Sequence, residues 1–373
     1  MHYQMLNEFK YGRKDLSDVK TFKLGELFAG AGGLAWGAFH ADIEFDIKII
    51  HAWANDLDPL TCATYRKNIC ADNVICGDVR DLDFDTLEDI DALAFGFPCN
   101  DFSVVGKRAG LNGKYGLLYR YAITALKKFQ PAWFVAENVR GLASANKGSA
   151  QRQILNGFSD AGYKIFPHLY KFEQYGVPQT RHRIIVVGIR NDIDKSFRPP
   201  KPLNKIVSAR EALENPPIPA DAANHEKTRQ AQSVVERLKF IKPGQNAFNA
   251  DIPPELQLHV KAATFSSIYR RLDPDKPAYT VTGNGGGGTH IYHYAEPRAL
   301  TNRERARLQT FPDDFIFEGS KESVRRQIGM AVPCAAAKII FEAVLKTFEG
   351  INYESVPCNV KFGYEQDLFA EII

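Results

Sequence analysis

The 373-residue sequence has no Cys-x-x-Cys pair, no apolar run near the ~20 residues that a bilayer span needs, and no internal repeat. Six cysteines at 62, 70, 76, 99, 334 and 358 therefore suit neither a disulfide framework nor a zinc site, and reduced thiols without a structural metal are expected. The start, Met1-His2-Tyr3-Gln4-Met5, lacks the layout of a signal peptide. A soluble, cytoplasmic chain with no membrane partner is the expectation. With 45% hydrophobic and 24% charged residues, disordered and collagenous classes are excluded, and one large domain or two ordinary ones fit the length.

Net charge is only +3, but it is unevenly spread: residues 101–310 carry 32 basic and 17 acidic side chains, whereas residues 71–100 carry one basic and eight acidic. A basic middle of that size fits a polyanionic partner, because cations on phosphates release condensed counterions. Charges scattered over a solvated surface are the alternative.

Apolar runs at Phe22–Phe28, Ile47–Ala54, Asn73–Cys76, Ala92–Phe97 and Trp133–Ala136 read as buried strands. Helical spacing begins near Leu34 and covers Asp58–Asn68, Leu117–Phe129 and Ala150–Ala161. Such alternation predicts a doubly wound α/β sheet, Rossmann-like, for residues 22–190 after an N-terminal extension of residues 1–21. Beyond Arg190 proline becomes frequent and periodicity weak, so a smaller irregular domain is placed at 191–300. Residues 301–373 are read as a hinge, helical from Arg298 to Gln309 with a cationic face, and a final apolar helix at Val332–Phe348.

Polar and glycine-rich clusters then fall at strand ends. Phe28-Ala29-Gly30-Ala31-Gly32-Gly33 after the first strand is either a nucleotide-binding turn or a tight turn with packing glycines. Asp56 and Asp78, closing the next two strands, can accept from ribose hydroxyls and an exocyclic amine, or simply cap helices. Cys99 follows Pro98 just past an apolar strand, where such sheets bind ligands. Glu137-Asn138 and Gln179-Thr180-Arg181-His182-Arg183 flank two further strands.

In these residues the chain resembles the DNA (cytosine-5) methyltransferases of bacterial restriction-modification systems. FAGAGG at 28–33, GFPCNDFS at 96–103, ENV at 137–139, GVPQTRHR at 176–183, LTNRERARLQTFPDDF at 300–315 and GMAVP at 329–333 follow that family's motifs in order. Asn100, Lys114-Tyr115-Gly116, Met330 and Glu26 stand where glutamine, an acidic-arginine-glycine run, asparagine and aspartate are usual.

The resemblance implies an S-adenosyl-L-methionine-dependent methyltransferase fold with a target-recognition domain, and methyl transfer to C5 of a cytosine flipped out of double-stranded DNA. It assigns Cys99 as nucleophile towards C6, Glu137 to N3 and the exocyclic amine, Arg183 to O2, and Arg181 to a backbone phosphate and the glutamate. Phe28, Ala29, Gly30, Gly32, Gly33, Asp56, Leu57, Asp78, Val79, Pro98 and Leu118 would form the cofactor pocket. Ser103, Arg270, Arg271 and Arg303 would meet DNA, with Arg298, Arg305 and Arg307 as further phosphate candidates. A monomer is expected, its restriction endonuclease being a genetic rather than a physical partner.

Overall fold

The computed structural model describes residues 20–43, 47–70, 72–97, 117–139, 149–203, 205–258, 268–283, 285–286 and 288–360. Pro98, Cys99, Asn100, Ser103 and Lys114-Tyr115-Gly116 lie outside the described residues.

Neighbouring residues in the central strands alternate between two apolar layers. Ala92, Ala94, Trp133 and Val135 join one core, while Leu93, Phe95, Phe134 and Ala136 join the other. A strand buried on both faces must be apolar throughout, which is why these segments read as continuous runs. They are β1 (Lys20–Leu27), β2 (Ile47–Asp56), β3 (Val74–Cys76), β4 (Ala92–Phe95) and β5 (Trp133–Val139). With β6 (Tyr163–Lys171) and β8 (His182–Arg190) they form a seven-stranded sheet in the order β3-β2-β1-β4-β5-β8-β6. The first five are parallel, and β8 runs antiparallel to both its neighbours. A short pair, β7 (Gln179–Thr180) with β9 (Ala278–Tyr279), stands apart.

Helices cover both faces, as a doubly wound sheet requires. Residues of α1 (Gly33–Phe39) and α9 (Cys334–Glu349) enter one core, and those of α3 (Tyr119–Phe129) and α4 (Ser149–Asp160) enter the other. Between β2 and β3, α2 (Pro59–Asn68) starts on an Asp58 cap, whose carboxylate accepts from the Thr61 amide at 2.9 Å.

The later chain is less regular. It holds α5 (Ala209–Glu214), α6 (Gln232–Phe240), α7 (Asn302–Leu308) and α8 (Lys321–Met330). Leu238, Ile241, Ile252, Tyr269, Tyr292 and Ala299 make a small core of their own. Another core joins Leu272, Ala278, Val281 and Phe311 to Ala29, Ala54 and Tyr65 at the sheet's edge.

Three expectations need correction. The strand β6 and the helix α8 were not anticipated from periodicity, and the helix expected over Arg298–Gln309 spans only Asn302–Leu308. The cationic face of that helix is turned inward: Arg303 and Arg305 are buried. Lys321–Glu349 contains an apolar window long enough to cross a membrane, but it is two helices, α8 and α9, interrupted at Ala331–Pro333 and largely buried.

The α1–α9 contact is close because Gly37 has no side chain. A Cβ there would stand 2.4 Å from Ala337 Cβ and 2.5 Å from the Lys338 amide nitrogen. Gly37→Ala should therefore destabilise the fold by about 1–3 kcal/mol, read as a lower urea midpoint at unchanged slope. An unchanged midpoint would mean the two helices are not in this contact.

Candidate active site at the carboxyl edge of the sheet

Every parallel strand delivers its carboxyl end to one rim, and β8, running the other way, begins there. After β1 the backbone turns sharply, with φ of 55° at Phe28, 58° at Gly30 and 92° at Gly32. The Ala29 amide donates to the Asn55 carbonyl at 3.0 Å, tying the turn to β2. Asp56 then accepts from the Gly30 amide at 2.9 Å and from the Asp58 amide at 3.0 Å, one through each carboxylate oxygen. Asn55 donates its side-chain amide to the Ile75 and Gly77 carbonyls, which sets the end of β3 alongside.

The glycines of the turn serve different ends. Gly30 has open space where a Cβ would be. A Cβ on Gly32 would meet Ile69 at 2.6 Å, and one on Gly33 the Val332 carbonyl oxygen at 2.3 Å. Gly32 and Gly33 are thus demanded by packing, and their bare faces are turned to protein rather than to a ligand. Ala29 and Val79 are likewise core residues, whereas Phe28 and Leu118 are half-buried and Leu57 is 62% exposed. Asp78 caps the short turn after β3 and pairs with Arg80 at 2.5 Å.

An open amide-lined turn, a carboxylate with spare lone pairs and partly exposed apolar walls fit a ligand bearing vicinal hydroxyls and a flat ring. S-adenosylmethionine is such a ligand.

The catalytic candidates meet across two strands. Antiparallel register sets Glu137 opposite Ile185 and Val139 opposite Arg183. Arg183 Nε lies 2.7 Å from Glu137 Oε1, and Arg183 Nη1 donates to the His182 carbonyl at 2.9 Å. The two side chains keep 13% and 14% exposure, enough to meet a bound group. The other oxygen, Glu137 Oε2, would be 3.3 Å from a Cβ on Gly96, so the carboxylate sits against the segment that leads to Cys99.

Arg181 does not join them in the way expected. Its buried guanidinium donates to the carbonyls of Val281 at 3.0 Å, Gly329 at 3.1 Å and Ala331 at 3.0 Å. It is a clamp between chain segments, its terminal nitrogens spent on carbonyls rather than offered to a DNA phosphate. The same correction applies to Arg271, held on the carbonyls of Leu238, Ile241, His293 and Tyr294. Arg303 is held on those of Ala223, Pro312 and Phe315. Arg298 pairs with Glu296 and Glu304, and Arg307 with Asp313. Arg270 stays partly exposed, with its guanidinium 4.6 Å above the Tyr279 ring. Part of the positive charge counted in the middle of the sequence is consumed inside the protein.

Glu26 was noted only as a departure from the usual aspartate, yet it is the buried acid under the turn. It accepts from the Tyr65 hydroxyl at 2.9 Å, and burial, reinforced by the charge of Asp56, lifts its pKa to about 8. Gln179 and Gln309, the side chains that fasten this edge to α7 and α8, carried no sequence signal beyond their place in the motifs.

This strand order, with its glycine turn and acidic strand ends at one rim, defines the class: a Rossmann-like, S-adenosylmethionine-dependent methyltransferase. Residues 22–346 match the family of C-5 cytosine-specific DNA methylases. Type II methyltransferase M.BbvI of Brevibacillus brevis is 56% identical, over 94% of this chain and 98% of its own. Type II methyltransferase M.NgoFVII of Neisseria gonorrhoeae is 40% identical, over 93% and 92%. The crystal structure of a prophage-encoded E. coli protein, described as a DNA modification methyltransferase, shares the fold. Its TM-score is 0.69 at 23% identity, covering 88% of this chain and 99% of that one. The chain belongs to the C-5 cytosine-specific DNA methylase family and is a DNA (cytosine-5-)-methyltransferase, a class whose methyl donor is S-adenosylmethionine.

The buried Glu26 makes stability depend on pH. In the unfolded chain it ionises near 4.5, in the folded one near 8, so folding takes up a proton between those values. Its contribution is fully present below pH 4.5 and is lost by up to about 1.4 kcal/mol per pH unit as pH rises towards 8. Glu26→Gln should remove that part of the fall, giving a melting temperature above wild type at pH 8.5 and a smaller difference at pH 5. Parallel curves for the two proteins would contradict the assignment.

Proposed function

We propose that the enzyme methylates C5 of a cytosine swung out of a specific double-stranded DNA sequence, through a transient bond between Cys99 and C6. The observation that carries the reading is the Arg183–Glu137 pair, 2.7 Å apart and set against Gly96 at the mouth of the segment bearing Cys99. Protection of host DNA from a cognate endonuclease is the role inferred from the restriction-modification relatives. The division into a catalytic domain at 22–190 and a target-recognition domain at 191–300 is proposed with it.

Cytosine C5 is too weak a nucleophile to be methylated unaided. The Cys99 thiolate adds to C6, the C5=C6 π pair moves onto C5, and density builds on N3 and O2. Glu137 holds a proton at N3, and Arg183, already steering that carboxylate, turns its remaining donors to O2. S-adenosylmethionine, when bound, supplies the methyl group as an electrophile on its sulfonium sulfur. Gly30 and Asp56 would hold its ribose side, with Phe28, Leu57 and Leu118 as walls and Asp78 for the adenine amine. Once C5 carries the methyl, its proton leaves to water, the C5=C6 bond re-forms, and the Cys99 thiolate is expelled. The proton at N3 returns to Glu137. Arg181 acts at a distance, by holding the Gly329–Ala331 backbone against the cofactor turn.

DNA made with 5-fluorocytosine has no C5 proton to lose, so with S-adenosylmethionine it should trap a covalent adduct that survives denaturing electrophoresis. Cys99→Ser should form none. A wild-type chain that binds such DNA without trapping it would overturn the covalent route. Glu137→Ala should cut methyl transfer by roughly 100-fold or more while DNA affinity stays within a few-fold. Equal losses of both would make the glutamate structural.

A further inference from the structure

Arg325 of α8 lies under the glycine-rich segment that follows β9, and Arg305 of α7 is near enough for the two charges to act on each other and on His290. Arg305 of α7 is 1% exposed, and both terminal nitrogens of its guanidinium lack a hydrogen-bond partner among the described residues. Arg325 of α8 is 8% exposed. It donates from Nη2 to the Gly285 carbonyl at 3.1 Å and leaves Nε without an acceptor. A Cβ on Gly285 would stand 2.5 Å from that Nε, so the loop backbone lies directly on the guanidinium.

The surroundings are basic. His290 is pushed down to about 4, first by burial and then by the charges of Arg305 and Arg325. Arg270 lies over Tyr279, whose ring also feels Arg305. Glu304, whose charge reaches Arg305, already accepts two hydrogen bonds from Arg298. A buried guanidinium without acceptors is costly, an anion would complete it, and its planar fork matches the oxygens of a phosphate. Gly285, Gly286 and Gly288 put no side chain in the way.

We propose that Arg305 and Arg325 form a seat for one phosphate group of the duplex DNA substrate, reached past the bare backbone of the glycine segment. The assignment rests on the reading of DNA as substrate and goes beyond it by naming where one phosphate is held. It also divides the arginines of this region: those on carbonyls and carboxylates build the fold, and these two meet the ligand.

The test compares the full chain with Arg305→Gln, Arg325→Gln and, as a control on the same helix, the exposed Arg326→Gln. Duplex affinity is measured across salt concentration. The slope of log affinity against log salt should fall by about 0.9 in Arg325→Gln, the share of one phosphate, and stay at the wild-type value in Arg326→Gln. Inorganic phosphate alone should raise the wild-type melting temperature and not that of Arg325→Gln. Where Arg305→Gln fails to fold, Arg325→Gln decides. Equal slopes in wild type and Arg325→Gln overturn the proposal, and so does an equal drop in Arg326→Gln, which would report net charge alone. Phosphate stabilisation with an unchanged slope assigns the seat to free phosphate and overturns the DNA contact. If methyl transfer to DNA persists while the slope is unchanged, only the seat falls. If no DNA is methylated at all, the functional reading falls with it.

Discussion

One guanidinium holds the working edge of this protein together. Arg181 leaves the short strand β7 and donates to three carbonyls, one after β9 and two at the end of α8. A charged donor on a buried carbonyl contributes about 1.5–3 kcal/mol. Gln179 and Gln309 extend the junction: Gln179 donates to the Leu308 carbonyl and the Gln309 side chain, and Gln309 donates to the Ile328 and Ala331 carbonyls. Because Ala331 and Val332 lie on Gly33, a hub at one end of the sheet fixes the glycine turn at its middle. The glycine turn and the proposed catalytic pair are positioned by the same set of bonds.

The arginines show how charge and chemistry part company. Arg271 and Arg303 each donate to three or more backbone carbonyls, so they tie together irregular segments in a region where ladders are scarce. Arg298 instead completes the Thr301–Glu304 capping box of α7 by pairing with Glu304. A basic composition in such a region is a signature of irregular backbone as much as of a polyanionic ligand. Arg305, with neither terminal nitrogen on an acceptor, and Arg325, with its Nε free of one, stand out against that background.

Much of this was legible beforehand, for identifiable reasons. Strands buried on both faces announce themselves as apolar runs, and polar clusters at their ends pointed to Glu137 and Arg183. What alternation cannot tell is direction: the pairing of those two residues comes from β8 running antiparallel to β5. The edge strand β6 was hidden because Pro167 and three basic residues interrupt it, which an edge tolerates and a central strand would not. The helix α8 was hidden because its buried face mixes Ser323, Arg325 and Gln327 with Val324 and Ile328. The fate of each arginine depends on carbonyls far away in sequence, so no local pattern encodes it.

The contact between Gly33 and Val332 joins positions about 300 residues apart. As the polypeptide grows, its glycine turn appears about 300 residues before the Val332 backbone that seats it. A product ending before Val332 would carry the strands of the sheet but leave the turn proposed to hold the methyl donor without its support.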